Sequence, residues 1–263
     1  MTVMVKPELI PLLEELVNIG ANYKIEELLA IRKRFFNYLS EEGRMLRVFD
    51  NPEEYVHARD AINFIDANLI LHRTGSPEQA NVFSQSVLDR LETLRASNRK
   101  ENRWTYYDIV FYTGLCISAV DMKQLVLMHD HARLKLEELG DPLLMAKLMT
   151  NYSTRLLIAL FWDFEKDSET DSLEDQNLEK MVKNTLSTTL QETITFCKKH
   201  DFTDFLYRSK IMLGLFENDQ ALIIKYFKKL KAILPEYGSQ ALAKEISDYQ
   251  QSPRYKGERG GVY

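Results

Sequence analysis

Three of the seven prolines stand directly behind a helix-capping residue, in Asn51-Pro52, Ser76-Pro77 and Asp141-Pro142. At the first position of a helix the missing N–H of proline costs nothing, and the preceding Asn, Ser or Asp caps the turn. Each pair therefore predicts a helix start. Thr203 and Asp204 open another, and Gly20, Gly43, Gly140 and Gly238 mark expected stops. With only ten Gly and seven Pro in 263 residues, a fold built on many tight turns is excluded.

Between these marks apolar residues recur every three or four positions, as in Ile25, Leu28, Leu29, Phe35, Phe36 and Leu39, or Leu186, Leu190, Ile194 and Cys197. The spacing predicts helices over 8–18, 22–41, 52–73, 77–97, 103–119, 121–139, 142–164, 173–200, 203–215, 218–233 and 237–249, and no strands. The fold class is all-α. Short links make consecutive helices antiparallel hairpins, and hairpins in series suggest a right-handed superhelical array of degenerate, tetratricopeptide-like repeats. Residues 1–249 read as one helical-repeat domain, because neither polar interruption, 95–103 or 163–175, is long enough for a linker. Residues 250–263 are Gly-rich and basic, a flexible tail by expectation.

Hydrophobic residues make up 45% of the chain, enough for a substantial core, and 34 Lys plus Arg against 39 Asp plus Glu leave a net charge of −5. That balance argues against non-specific binding to nucleic acid, which needs a dense basic surface. No leader or membrane-length apolar run is visible, and Cys116 and Cys197 lie in apolar segments as reduced, buried side chains. A cytoplasmic protein that touches no membrane is expected.

Catalytic vocabulary is missing. Paired carboxylates such as Glu26-Glu27 lie in polar helical stretches, and His129 and His131 at i, i+2 point in different directions. The acidic run from Asp163 places Asp163, Glu165, Asp167, Asp171 and Glu174 at calcium-loop positions, but Ser168 stands where the loop needs glycine. Arg32-Lys33-Arg34 and Lys228, Lys229, Lys231 have aromatics nearby and read as exposed faces of amphipathic helices. No enzyme activity, metal or cofactor is expected, and no direct DNA reader.

Polar residues inside apolar helices are more informative. Lys147, Asn151 and Arg155 are spaced by four, and Asn184, Thr188, Gln191 and Thr195 form a similar face. An Asn side chain offers donor and acceptor to a peptide backbone, and an Arg can fork onto a carboxylate. Both faces could also simply meet water. The stretch Trp104-Thr105-Tyr106-Tyr107-Asp108, then Asn151 and Arg155, then FTDFLYRSKIMLGL over 202–215, resembles the C-terminal half of Rgg/GadR/MutR-type transcriptional regulators. The resemblance spans roughly 9–249 and lacks the family's N-terminal helix-turn-helix.

It implies a homodimeric quorum-sensing domain that binds a short signalling peptide in its concave groove and regulates transcription through a partner or another domain. Asn151, Arg155 and Asn184 would hold the peptide over an apolar floor of Tyr107, Phe111, Tyr207 and Met212. The rival reading is a helical scaffold that grips another protein without a small-peptide ligand.

Overall fold

The computed structural model describes residues 7–19, 25–40, 55–97, 104–164, 173–234 and 236–252. Among these are eleven α-helices and no strand. They are α1 (Ile10–Ile19), α2 (Ile25–Ser40), α3 (Val56–Thr74), α4 (Pro77–Ala96), α5 (Tyr106–Leu115) and α6 (Met122–Leu139), followed by α7 (Pro142–Ile158), α8 (Leu173–Lys199), α9 (Thr203–Phe216), α10 (Gln220–Lys231) and α11 (Glu236–Gln251). Short 3-10 turns cover Pro7–Leu9 and Cys116–Ser118, and a π-helical turn, Ala159–Asp163, prolongs α7.

The chain divides into two compact units, Met1–Gly140 and Asp141–Tyr263. The boundary carries no Pro/Gly-rich linker. It falls between a left-handed C-cap, Gly140 at φ 66°, and an N-cap, Asp141, whose carboxylate accepts from Leu144 N at 3.0 Å. Of the two proline-marked starts within the described residues, this is one. The other is Ser76, whose Oγ accepts from Gln79 N at 3.2 Å ahead of Pro77. Asn51-Pro52, Gly20 and Gly43 lie outside the described residues, as do most of the candidate calcium loop and the 253–263 end of the tail. Gly238 does not stop a helix but lies within α11. A stop the glycine pattern missed is Gly75, left-handed at φ 69° behind α3.

In the first unit α3 pairs with α4, and α5 packs on both. Its core includes Phe35, Ile65, Leu88, Leu91, Phe111 and Tyr112. Trp104 Nε1 donates to Leu91 O at 2.9 Å and Tyr112 hydroxyl to Leu125 O at 3.0 Å, so both aromatics bury their polar atoms satisfied. In the second unit α7 packs on α8 and α9, and α9 pairs with α10. Leu148, Tyr152, Leu156, Leu186, Leu190 and Leu230 fill it. Cys116 and Cys197 are buried, one in each unit, and burial pushes the Cys197 thiol up to about 12. No helix of the described residues is long and apolar enough to cross a membrane.

Candidate functional site

The seven expected peptide contacts divide between the units, Tyr107 and Phe111 in the first and the other five in the second. Phe111 is buried against Phe64, ring centroids 5.6 Å apart, in the core of the first unit. Tyr107 is half-buried beside Tyr106, and burial with the nearby charge of Glu14 raises its hydroxyl pKa.

Helix α7 explains the fate of Asn151 and Arg155. It is apolar on nearly all sides, so a four-residue polar spacing crosses from its half-buried flank into the interior. Lys147 and Asn151 are half-buried, whereas Arg155 is only 2% exposed. The Arg155 charge is felt by the Tyr249 hydroxyl of α11, whose pKa burial raises well above 10, the nearby Glu245 adding to the rise and Arg155 opposing it. Tyr249 in turn meets Phe161 and Trp162 of the π-helical turn at 5.5 and 4.6 Å between ring centroids. Thr154, next to Arg155, reaches Met212 Sδ on α9 at 3.4 Å and so ties α7 to the buried Met212.

Tyr207 stands earlier on α9 and is half-buried. Its ring lies 5.6 Å from that of Tyr226 on α10, and Lys229 Nζ sits 5.6 Å from the Tyr207 centroid and 5.5 Å from that of Tyr226. The quadrupole of each ring attracts the ammonium, which leaves an aromatic shelf with a cation at its edge. Asn184 and its row on α8 are exposed, and the Thr188 and Thr195 hydroxyls donate back to the carbonyls of Asn184 and Gln191 at 3.1 and 2.8 Å.

The most constrained polar group lies elsewhere, in the first unit. Asp60 of α3 and Asp108 of α5 are buried, and Arg90 of α4 reaches them from a half-buried position. Arg90 Nε donates to Asp60 Oδ2 at 2.7 Å, and Nη2 donates to Asp108 Oδ1 at 2.6 Å. The other Asp108 oxygen accepts from Thr105 N and Oγ1 at 2.7 and 2.8 Å, closing a capping box at the start of α5. His57 Nε2 lies 3.9 Å from Asp108 Oδ1, and Arg59 Nε lies 3.9 Å from Asp60 Oδ1. Burial pushes the Asp60 carboxyl up to about 6 against the pull of Arg90 and Arg59, and burial lowers the His57 imidazole. With both carboxylates ionised, two Arg balance two Asp while His57 stays neutral. One partly buried guanidinium thus fastens three helices.

Asp108 stands in the aromatic stretch 104–108, and nothing local in the sequence ties it to Asp60 or Arg90. The available signal was Asp60 itself, a carboxylate among Ala58, Ala61, Ile62 and Ile65 on the buried side of α3. His129 is buried and pushed down to about 3, while His131 is half-buried with its ring 4.9 Å from that of Trp104. Among the described residues no group of His, Cys, Asp and Glu could hold a metal ion. The basic run 32–34 is partly paired, Arg32 with Asp66 and Arg34 with Glu15, while Phe35 is buried.

The class defined by this geometry is an all-α protein of two helical units, one of them fastened by a buried ion network. Comparison with protein-family models, curated proteins and solved structures finds no match for the chain.

Proposed function

We propose that the chain is a ligand-sensing helical-repeat protein that binds a short peptide in its second unit and passes the event to transcription through a partner or another domain. The observation that carries this reading is the Tyr207–Tyr226 shelf with Lys229 over both rings. Half-buried aromatics give a peptide side chain contact area at small entropic cost, and the ammonium offers its carboxylate a partner. Asn151 and Asn184 supply amide groups for the main chain, and both reach the surface.

Burial sorts the remaining candidates. Arg155 and Met212 act from behind this surface, because a side chain with a few per cent exposure meets a ligand only after the helices part. The ligand must favour one arrangement of the helices over another, since equal affinity for both shifts nothing.

Calorimetry of the full chain against a library of hydrophobic peptides with free carboxyl ends tests the reading. Tyr207→Ala and Asn151→Ala should each weaken binding by about tenfold, ~1.4 kcal/mol. A library with no binder, or variants that bind as well as the parent, would remove the peptide site from the second unit. The scaffold alternative predicts instead that the chain retains a macromolecule and no peptide.

A further inference from the structure

Helix α10 carries Lys225, Lys228, Lys229 and Lys231 and no acidic residue. At about 100° per residue these lysines share, with Ile224 and Ala221, the arc that turns away from buried Ile223 and Leu230. All four are exposed, Ile224 is 45% exposed, and Ile233 just beyond the helix is 53% exposed. The outer face of α10 is therefore basic and aliphatic, with no carboxylate of its own.

Topology enlarges this face. Helix α9 packs on both α8 and α10, and Tyr207, one turn into α9, meets Tyr226 and Lys229 toward the end of α10. The last turn of α10 thus lies beside the start of α9, where α8 also ends in exposed Lys198 and Lys199. Asp201 and Asp204 offset part of the charge there. Basic residues of the first unit commonly meet a carboxylate, Arg32 with Asp66, Arg34 with Glu15, Arg95 with Glu92 and Lys135 with Glu138. Among the described residues none of these six lysines is ion-paired. Like charges at i, i+3 and i, i+4 repel, and the helix dipole, which favours cations in the last turn, does not account for the lack of acids. An anionic surface laid against α10 would relieve that repulsion.

The side chains on the face say which surface. Phosphate recognition in nucleic acid favours the bidentate fork of Arg, whereas this face holds lysines alone. An acidic protein must place a carboxylate for each lysine, while a lipid surface moves its headgroups to them. Ile224 and Ile233 decide in the same direction, because a headgroup layer takes up aliphatic side chains while neighbouring lysines stay with its phosphates. Binding of this kind needs no spanning helix.

We propose that the outer face of α10, with Lys198 and Lys199 beside it, docks the second unit on anionic lipid. Lys225, Lys228 and Lys231 meet the headgroups, and Ile224 and Ile233 enter the interface. With no inserted helix and a net charge of −5 on the whole chain, the attachment is reversible and salt-sensitive. Lys228, Lys231, Ile224 and Ile233 lie outside the Tyr207–Tyr226 shelf, so loss of the peptide reading leaves this one standing, and the reverse.

Co-sedimentation of the full chain with vesicles tests the docking. At about 0.1 M salt the parent should bind vesicles containing about one-third phosphatidylserine and ignore pure phosphatidylcholine. It should come off at about 1 M salt, where the Debye length falls to roughly 3 Å. Each lysine near such a surface is worth about fivefold in partition, so Lys228→Gln/Lys231→Gln should weaken binding by about 25-fold. Lys180→Gln/Lys183→Gln makes the same charge change on exposed side chains at least about 24 Å along α8 from its end, and should weaken binding by less than about fivefold. Ile224→Ser/Ile233→Ser should weaken binding and leave its salt dependence unchanged. Lys and Gln have similar helix propensity, so the lysine variants should keep the parent's circular dichroism. A parent that ignores anionic vesicles, whether or not it binds an oligonucleotide or poly-glutamate, would overturn the proposal. Equal binding to phosphatidylcholine, equal losses from the two lysine pairs, or isoleucine changes without effect would each do the same.

Discussion

Arg90 ties three helices of the first unit together through two ion pairs. Its guanidinium hydrogen-bonds two carboxylates that are themselves inside, Asp60 at 0% and Asp108 at 1% exposure. Removing it strands two buried charges, and breaking a buried pair from one side costs far more than the pair contributes over an apolar replacement. Arg90→Ala should therefore lower the unfolding free energy by about 3–5 kcal/mol in urea denaturation. The control is Arg95, whose two bonds to Glu92 look as good on paper, both at 2.6 Å. That pair is a partly exposed i, i+3 contact within one helix, and Arg95→Ala should cost less than about 1 kcal/mol. Equal costs for the two would mean that Arg90 is solvated in a way its surroundings do not suggest.

Helix contacts turn on two glycines. A Cβ on Gly114 of α5 would meet Phe64 Cε2 of α3 at 2.2 Å, and one on Gly214 of α9 would meet Ile223 Cγ1 at 2.8 Å and Asp219 O at 3.1 Å. Intrinsic propensity favours Ala over Gly in mid-helix by about 1 kcal/mol. At these positions the crowding wins, because Phe64 is buried beside Phe111 and has nowhere to retreat. Gly114→Ala should destabilise by about 1–3 kcal/mol, and Gly140→Ala should cost through its positive φ instead, its Cβ meeting nothing. Thermal melts of the two variants read the difference, and a stabilised Gly114→Ala chain would show that α3 and α5 can separate.

At this scale the sequence was most legible: all eleven helices were expected, and α4, α7 and α9 begin where their signals put them. Caps and periodicity are local, so a linear reading finds them. What it could not find depends on which helices meet. Arg155 has the spacing of a surface row but turns inward, because α7 is surrounded, and the two carboxylate partners of Arg90 lie thirty and eighteen residues away. The division at Gly140 was legible as a cap yet not as a boundary, for want of a linker.

Across the whole molecule, the groups that change protonation between neutral and mildly acid pH are unevenly shared. His57, Asp60, His129 and His131 all belong to the first unit. Burial lowers each of the three imidazoles, so each contributes stability that is present above the unfolded pKa of about 6.5 and lost as pH falls toward its folded value. Asp60 works the other way. Its carboxyl, raised from 3.8 to about 6, binds a proton in the folded state first and adds stability as pH falls through that window. For His129, lowered to about 3, linkage gives a loss of about 2 kcal/mol on going to pH 5, against a smaller gain of about 1 kcal/mol from Asp60. With His57 and His131 adding to the loss, acid weakens the first unit.

In the second unit Cys197 and Tyr249 titrate far above this range. The two tryptophans report separately, Trp104 from the first unit and Trp162 from the second. In a Trp162→Phe chain the urea midpoint read by Trp104 should fall between pH 7 and pH 5, and His129→Leu should flatten that fall by about 2 kcal/mol. In a Trp104→Phe chain the midpoint read by Trp162 should move less. Parallel pH slopes with and without His129 would show that its imidazole is as hydrated in the folded chain as in the unfolded one.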